Sequence, residues 1–132
     1  MRQIIYTSIA TEKFAADQLF SIIQTSVRNN GNRDVTGFLA YKGGRFVQYL
    51  EGPENELHDL LAVIEQDPRH DHLTIVTDRN IRNRSFDSWR MERLTSMSEL
   101  SKRLNEALLD DPTRGDTLVK LIAFMDGKAK AA

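Results

Sequence analysis

Up to residue 94, short β-branched runs alternate with longer segments of helical periodicity. The β-branched runs predict five strands, at residues 3–7, 35–41, 45–51, 73–77 and 86–94. Two helices are predicted between them, because apolar residues there recur at helical spacing. The resulting order, β-α-β-β-α-β-β, predicts an α+β fold with a ferredoxin-like sheet and two helices on one face, because right-handed crossovers place them there.

Turn and cap residues mark the boundaries of these elements. Lys42-Gly43-Gly44 separates the second and third strands and predicts a β-hairpin, since both glycines readily adopt positive φ. The first helix starts after Thr11 and ends near Gly31. The second helix follows Pro53 and stops before Pro68.

Apolar side chains occupy both faces of the third predicted strand. Phe46 and Leu50 point to one side, whereas Val47 and Tyr49 point to the other. Both faces of the sheet therefore need cover. We expect the two helices to cover one face, and the C-terminal segment or a second subunit to cover the other, since a large exposed apolar patch is unusual.

Two further helices are predicted after residue 94. Ser96 and Glu99 form a capping box at the start of the first. Both helices carry apolar residues at helical spacing, which are Met97, Leu100, Leu104, Leu108, Leu118, Leu121, Ile122 and Met125. Asp111-Pro112 ends the first helix, and Gly127 ends the second. We therefore expect a domain over 1–94 and a C-terminal helical extension over 95–132 that packs on the sheet or mediates association.

The composition is that of an ordinary globular domain. The 132 residues are 40% hydrophobic and 28% charged, with a net charge of -1 and a pI near 6.3. This balance gives no field that collects phosphates, so we expect no direct nucleic-acid partner. No apolar run reaches the length of a signal-peptide core or a membrane span, which predicts a cytoplasmic protein without a membrane partner. Because the chain has no cysteine and its three histidines match no ligand spacing, we expect no metal site.

Polar residues in strands are the candidates for chemistry. Gln48 lies between Phe46 and Leu50 on one face of its strand, where an unpartnered buried amide costs about 1 to 3 kcal/mol. Taken singly, Gln48 fits a core amide satisfied by the backbone, and Tyr6 fits a core tyrosine whose hydroxyl is bonded to a neighbour. Ordinary structural roles also fit the other candidates, which are Asn29, Asn30, Trp89 and Met91.

Motifs of the common enzyme classes are absent from the sequence. It contains neither a glycine-rich phosphate loop after a strand nor a nucleophile elbow. Two interpretations of a ferredoxin-like fold stay open at this point. One is a binding module that acts through protein contacts alone, and the other is a small enzyme of the acylphosphatase type that uses Arg and Asn to bind phosphate.

Six stretches of sequence together are more specific than any one residue. They are Ile4-Ile5-Tyr6-Thr7-Ser8, Asn29-Asn30, Val35-Thr36-Gly37-Phe38-Leu39-Ala40-Tyr41, Gly44-Arg45-Phe46-Val47-Gln48-Tyr49-Leu50-Glu51-Gly52, Asp67-Pro68-Arg69-His70 and Trp89-Arg90-Met91. At these intervals they closely resemble the BLUF family of blue-light sensors using FAD, over residues 3–94 without a gap. The resemblance implies a photoreceptor rather than an enzyme, with FAD, or alternatively FMN or riboflavin, held between the two helices.

The resemblance also implies a role for each matching residue. Tyr6 would be the electron and proton donor, and Gln48 the amide that bridges it to flavin N5 and O4. Asn30 would bond a ring carbonyl, while Asn29 and Asp67 would hold the ring edge. The other implied flavin contacts are Ile23, Arg69 and His70.

The last strand and the C-terminal helices are the expected output. Trp89 and Met91 would form the mobile part of the last strand, beside Gln48. We expect light to rearrange the Gln48 hydrogen bonds and the segment 97–125 to pass the change to a partner surface. Since only two helices follow residue 94, we expect a homo-oligomer and an unidentified downstream protein. One departure from the family is Val63, where some members carry a basic residue.

Overall fold

The structure defines the bounds of five strands and three helices. The computed structural model describes residues 1–11, 18, 21, 34–86 and 91–127. Its elements are β1 (Arg2–Ala10), β2 (Thr36–Lys42), β3 (Arg45–Gly52), α1 (Glu54–Glu65), β4 (His70–Asn80), β5 (Glu92–Leu94), α2 (Met97–Ala107) and α3 (Arg114–Met125). Among the described residues, no helix has the length and apolar character needed to cross a membrane.

The strands form one sheet in the order β4-β1-β3-β2-β5. Neighbouring strands are antiparallel, except that β5 runs parallel to β2. The order of the first four strands is that of a ferredoxin-like fold, in which β1 and β3 are central. The predicted α+β class and sheet are therefore confirmed, and the two central strands are those that carry Tyr6 and Gln48.

The two helices predicted before residue 94 have different outcomes. Gln18 and Ser21 are helical, but the rest of the first predicted helix lies outside the described residues. The second is α1, which begins after Pro53 and ends at Glu65. Its position before Pro68 agrees with the prediction, since proline disfavours helical backbone in the residue that precedes it.

Helix α1 covers one side of the sheet, called here the α1 face. Its residues Leu57, Leu60 and Ile64 are buried in this contact. They pack with strand side chains of β1, β2 and β3, which are Ile4, Tyr6, Leu39, Phe46 and Leu50. Alternate residues of a strand point to one face, so Gln48 also points to the α1 face. The predicted face of Gln48 is confirmed.

Helices α2 and α3 cover the opposite side, called here the C-terminal face. Val47 and Tyr49 of β3 are buried against these helices. The helix residues in this cluster are Leu100, Leu104, Ala107, Leu121, Phe124 and Met125. Ser96 Oγ accepts the Glu99 N–H at 3.1 Å, which confirms the predicted cap of α2. Because the helix pair buries this face, the sheet does not require a second subunit to cover it.

The predicted last strand is confirmed at Glu92–Leu94 and wrong at Phe86 and Met91. The prediction spans 86–94, but β5 contains only Glu92–Leu94. Phe86 is not part of a strand, and residues 87–90 lie outside the described part of the chain. Met91 precedes β5 with a φ of 64°, a left-handed conformation that interrupts a regular strand.

Strand β4 is longer than the predicted 73–77. It runs from His70 to Asn80 because it pairs with β1 along this whole length. It forms an edge of the sheet, so many of its side chains are polar and exposed, and the apolar pattern marks only its middle. His72 has a φ of 54° where the register with β1 shifts, which identifies a β-bulge.

Candidate functional site

Tyr6 and Gln48 lie directly opposite each other on the two central strands. Both side chains are on the α1 face, and neither is exposed to solvent. The Tyr6 hydroxyl donates a hydrogen bond to Oε1 of Gln48. The oxygen of this buried amide is therefore bonded to a tyrosine, rather than to the backbone as in an ordinary core glutamine.

Burial fixes the protonation of Tyr6. Loss of hydration raises the pKa of its hydroxyl well above the ordinary value near 10. The phenol therefore keeps its proton throughout the physiological pH range. That proton lies on the hydrogen bond to Gln48 and has a defined direction in which to move.

Met91 bonds the other end of the Gln48 amide. Nε2 of Gln48 donates to Sδ of Met91 at 3.1 Å. A thioether sulfur is a weak acceptor, so this contact holds the amide less firmly than a carbonyl would. The positive φ of Met91 costs on the order of 1–3 kcal/mol, and such strained residues concentrate in switch regions. Met91 thus combines a weak bond to the amide with a strained backbone, whose free energy would fall if it left the left-handed conformation.

Asp67 and Arg69 form a pair in the loop between α1 and β4. The Asp67 carboxylate accepts from the backbone N–H and from the guanidinium of Arg69, both at 2.9 Å. Arg69 Nε also donates to Oε1 of Gln18 at 3.2 Å. The backbone N–H of Thr11 donates to the carbonyl of Arg69 at 2.9 Å, so this loop is tied to the end of β1.

His70 is buried at the start of β4, and the protein bonds both of its ring nitrogens. Nε2 lies 2.6 Å from the Ile64 carbonyl oxygen, and Nδ1 lies 2.8 Å from Ser8 Oγ. Because a carbonyl only accepts, Nε2 carries the hydrogen, and in the neutral ring Nδ1 accepts from Ser8. Sequence reasoning does not single out Ser8. It could have been found as a polar residue two positions after Tyr6 on β1, which places both side chains on the same face of the strand.

The sequence around this cluster matches a known protein family. The family model described as "BLUF: Sensors of blue-light using FAD" matches residues 1–92, which include Tyr6, Gln48 and Met91. The chain belongs to the BLUF family. The description of this family, sensors of blue light using FAD, agrees with the function that the sequence predicts.

The BLUF chain is similar in sequence to parts of longer proteins. It is 35% identical over 119 residues to "Photoactivated adenylate cyclase subunit beta" of Euglena longa, which is 89% of this chain and 13% of that relative. It is 36% identical over 67 residues to "Blue light- and temperature-regulated antirepressor BluF" of Escherichia coli (strain K12), which is 51% of this chain and 17% of that relative. The chain thus matches less than a fifth of each relative.

Solved BLUF structures share the fold. "BlrB - a BLUF protein, dark state structure" superposes with a TM-score of 0.65 and 28% identity, covering 93% of this chain and 95% of that chain. Klebsiella pneumoniae BlrP1 with FMN and cyclic diGMP gives a TM-score of 0.69 and 25% identity, covering 95% of this chain and 34% of that chain. Such coverage exceeds the 92 residues of the family match, so the likeness extends into the C-terminal helices.

The α1 face of this BLUF chain fits a flavin ring edge. A primary amide has two N–H donors and an oxygen with two lone pairs. Within the described part of the chain, the Gln48 side chain accepts one bond from Tyr6 and donates one to Met91. A fully buried amide in this state keeps one donor and one acceptor position for a polar ligand. The isoalloxazine ring has both carbonyl oxygens and ring nitrogens at its edge.

The structure brings together only part of the BLUF site that the sequence predicts. Tyr6, Gln48 and Met91 form one contact cluster. The predicted site residues that lie outside the described part of the chain are Ile23, Asn29, Asn30 and Trp89. Flavin contacts of Asp67, Arg69 and His70 stay predictions, because the contacts of these side chains in the structure are with protein groups.

Proposed function

We propose that Tyr6 and Gln48 are the photoactive pair of this BLUF sensor, and that Met91 responds to the state of the Gln48 amide. The observation that carries the proposal is the buried hydrogen-bonded chain from the Tyr6 hydroxyl through the amide to Met91 Sδ. All three side chains are fully buried, so water cannot compensate a bond that is lost. A change in the bond between Tyr6 and Gln48 therefore alters the bond between Gln48 and Met91.

Tyr6 is suited to give up an electron and a proton together. Its raised pKa keeps the phenol neutral in the dark. A phenol that loses an electron becomes a strong acid, and its proton leaves along the hydrogen bond towards Oε1 of Gln48. Return of the electron and the proton to Tyr6 restores the dark state, so no net oxidation accumulates.

A flavin supplies the light absorption. When bound, an oxidised flavin absorbs blue light, and its excited state takes an electron from a phenol. In the described part of the site, the Gln48 amide has one donor and one acceptor position left to bond it. The other residues that would hold it are those implied by the family resemblance, Ile23, Asn29, Asn30, Asp67, Arg69 and His70. The family specifies FAD, and the BlrP1 structure with FMN keeps FMN as an alternative.

Gln48 converts the proton movement into a new hydrogen-bond pattern. Its amide presents the oxygen to Tyr6 and the NH2 group to Met91. Rotation of the amide by half a turn, or a change of tautomer, reverses which end donates. After rotation, the Gln48 oxygen faces the Met91 sulfur; both are acceptors, so the contact is lost. Release of Met91 from this contact changes which backbone conformation is favoured just before β5.

We further propose that residues 1–94 sense light and that 95–132 pass the signal on through protein contacts. Helix α3 exposes the apolar side chain of Val119 to 72%, and Leu109 after α2 is exposed to 64%. Contact with a second copy or with a downstream protein would remove these apolar side chains from water. The names of the relatives, a cyclase subunit and an antirepressor, support output through an effector rather than turnover at the Tyr6–Gln48 pair.

Colour is the first test of the proposal. Purified protein is expected to be yellow and to shift its flavin absorption reversibly to longer wavelength under blue light. A colourless protein would favour the simple binding module instead. Turnover of an acyl phosphate by colourless protein would favour the acylphosphatase-type enzyme.

Association is tested separately. Light scattering on a size-exclusion column, in the dark and during illumination, measures whether copies of the chain associate. If Val119 contributes, Val119→Asp is expected to reduce the associated fraction without changing the flavin spectrum. An equal mass for both proteins in both conditions would contradict a role for Val119.

A further inference from the structure

A second buried polar cluster lies on the opposite side of β3 from Gln48. Glu51 belongs to this strand and has no solvent exposure. Sequence reasoning gives Glu51 no role of its own. A buried carboxylate needs donors, because an unpartnered buried charge is costly. The donors to the Glu51 carboxylate come from two segments, its own strand and residues 85–86.

The Glu51 carboxylate holds the segment that leads to Met91. The backbone N–H of Ser85 lies 3.0 and 2.8 Å from its two oxygens. The backbone N–H of Phe86 lies 3.2 Å from Oε2. An ionised carboxylate accepts only, so these contacts with donors match its chemistry. The chain is therefore fixed to the end of β3 shortly before Met91.

Side-chain contacts strengthen this attachment. Arg84 Nη1 donates to the backbone carbonyl of Glu51 at 3.1 Å. The Phe86 ring meets the rings of Phe38 and Tyr49 edge to face, with centroids 5.5 Å apart in both pairs. Such edge-to-face pairs have a preferred geometry. The segment 84–86 therefore has a defined position against β2 and β3.

Tyr49 extends the cluster to the end of α2. Its hydroxyl donates to Oε1 of Glu51 at 2.7 Å and accepts from Nε2 of Gln3 at 3.0 Å. The same Gln3 nitrogen lies 3.0 Å from the carbonyl oxygen of Ala107, the last residue of α2. Arg79 Nε donates to Oε1 of Gln3 at 2.7 Å and so fixes its amide.

We propose that Glu51 is a positioning residue that couples Met91 to the end of α2. Glu51 holds the chain on one side of Met91, and the pairing of β5 with β2 holds it on the other. In the proposed coupling, a shift of Met91 acts on the Glu51 contacts at Ser85 and Phe86, which continue through Tyr49 and Gln3 to Ala107. The proposal rests on the proposed rearrangement of Gln48, which is what displaces Met91. Coupling of this kind requires an element whose equilibrium both ends bias.

Glu51→Gln tests the proposal directly. The substitution keeps the shape but replaces one acceptor oxygen by an NH2 group, which cannot accept from the N–H of Ser85 or Phe86. In wild-type protein, we expect blue light to change the hydrogen exchange of amides 104–110. In Glu51→Gln the flavin red shift should persist, while this light-induced change should be largely lost, because the contacts of Ser85 and Phe86 with the carboxylate are weakened. Glu92→Gln, at an exposed position on β5, is the matched control and should behave as wild type.

Tyr49→Phe provides a second test that does not remove the charge. It keeps the ring contacts and the attachment of Ser85 to Glu51, but removes the hydroxyl between Glu51 and Gln3. We expect the amides of Ser85 and Phe86 to stay protected while the light-induced change at 104–110 is lost. This variant decides the question if Glu51→Gln does not fold.

The outcomes separate the inference from the proposed function. A folded variant that keeps the full light-induced change at 104–110 overturns the coupling role. The difference between lit and dark exchange is the readout, because a merely structural defect alters exchange in both states alike. A wild-type red shift without any change at 104–110 overturns it too, and leaves the photochemistry standing. Absence of a red shift in the wild-type flavoprotein overturns the proposed function, and this inference with it.

Discussion

The hydroxyl of Tyr6 donates to the side-chain oxygen of Gln48, and the two residues are register partners on the central strands β1 and β3. Each strand is paired on both sides, so neither backbone moves easily. The amide of Gln48 is therefore the softer part of the pair, because its other described bond ends on the thioether of Met91. This combination of a fixed donor and a turnable amide underlies the predictions below.

Tyr6→Phe should bind flavin but lose the reversible red shift, because the donor of the electron and proton is gone. It should also lower the free energy of unfolding by about 1–3 kcal/mol, since it leaves Oε1 of Gln48 without the hydroxyl. Tyr41→Phe is the matched control, because Tyr41 packs on the same α1-face cluster and is only partly buried. Absorption spectra during illumination and urea unfolding measure both effects. A normal red shift in Tyr6→Phe would refute the assignment of Tyr6.

Met91→Leu should keep the fold and the flavin but change the rate at which the dark spectrum returns. Leucine has a similar volume, so the cost in unfolding free energy should stay below about 1.5 kcal/mol. It has no sulfur acceptor for Nε2 of Gln48, so the amide is free to turn in either state. Met125→Leu, at a buried position on the C-terminal face, is the control. Equal recovery rates in both variants and the wild type would show that Met91 does not bias the amide.

Alkaline pH should unfold the protein through its two buried tyrosines. Burial raises the pKa of both Tyr6 and Tyr49, and the charge of Glu51 adds to the effect at Tyr49. Above about pH 10, tyrosines of the unfolded chain ionise while these two stay neutral in the folded protein. The unfolded state then binds fewer protons, so stability falls as pH rises, by about 1.4 kcal/mol per pH unit for each tyrosine.

Urea unfolding between pH 9 and 11 checks this dependence. Tyr6→Phe should remove about half of the slope that the two residues cause, because phenylalanine does not titrate. An unchanged slope in that variant would mean that Tyr6 ionises in the folded protein at the same pH as in the unfolded chain.

Gly37→Ala should destabilise the sheet beside the site. A Cβ at this position of β2 would lie 1.9 Å from the backbone oxygen of Tyr49 on β3, and backbone cannot move aside cheaply. We expect a loss of at least about 3 kcal/mol, at the upper end of overpacking effects. Gly115→Ala is the control, since an added Cβ in the first turn of helix α3 meets no neighbouring group within 4 Å, and it should change the stability by less than about 1 kcal/mol. Thermal unfolding of both variants decides, and equal midpoints would contradict this packing.

Local sequence signals predict much of the fold. Both turn glycines, Gly43 and Gly44, have positive φ between β2 and β3, as the hairpin prediction requires. Strand parity predicts that Gln48 shares a face with Phe46 and Leu50, because alternation along a strand needs no tertiary information. The cap of α2 at Ser96 follows from its sequence for the same reason.

Other features depend on contacts that the sequence pattern does not contain. The left-handed backbone of Met91 lies within the last predicted strand, and β5 begins only after it, at Glu92. Glu51 resembles a surface residue beside a turn, yet it shares the parity of Val47 and Tyr49 and is fully buried. Its burial is offset by N–H groups of the segment 85–86, whose position only the folded chain defines.

The visible spectrum of Gln48→Ala, before and during blue light, tests the central claim most directly. Wild-type protein should show flavin absorption that shifts to longer wavelength under illumination and returns in the dark. Gln48→Ala should still be yellow, but its flavin bands should not shift, because no amide remains beside Tyr6 to reverse its hydrogen bonds. A Gln48→Ala protein that binds flavin and shows the full reversible red shift would contradict the account.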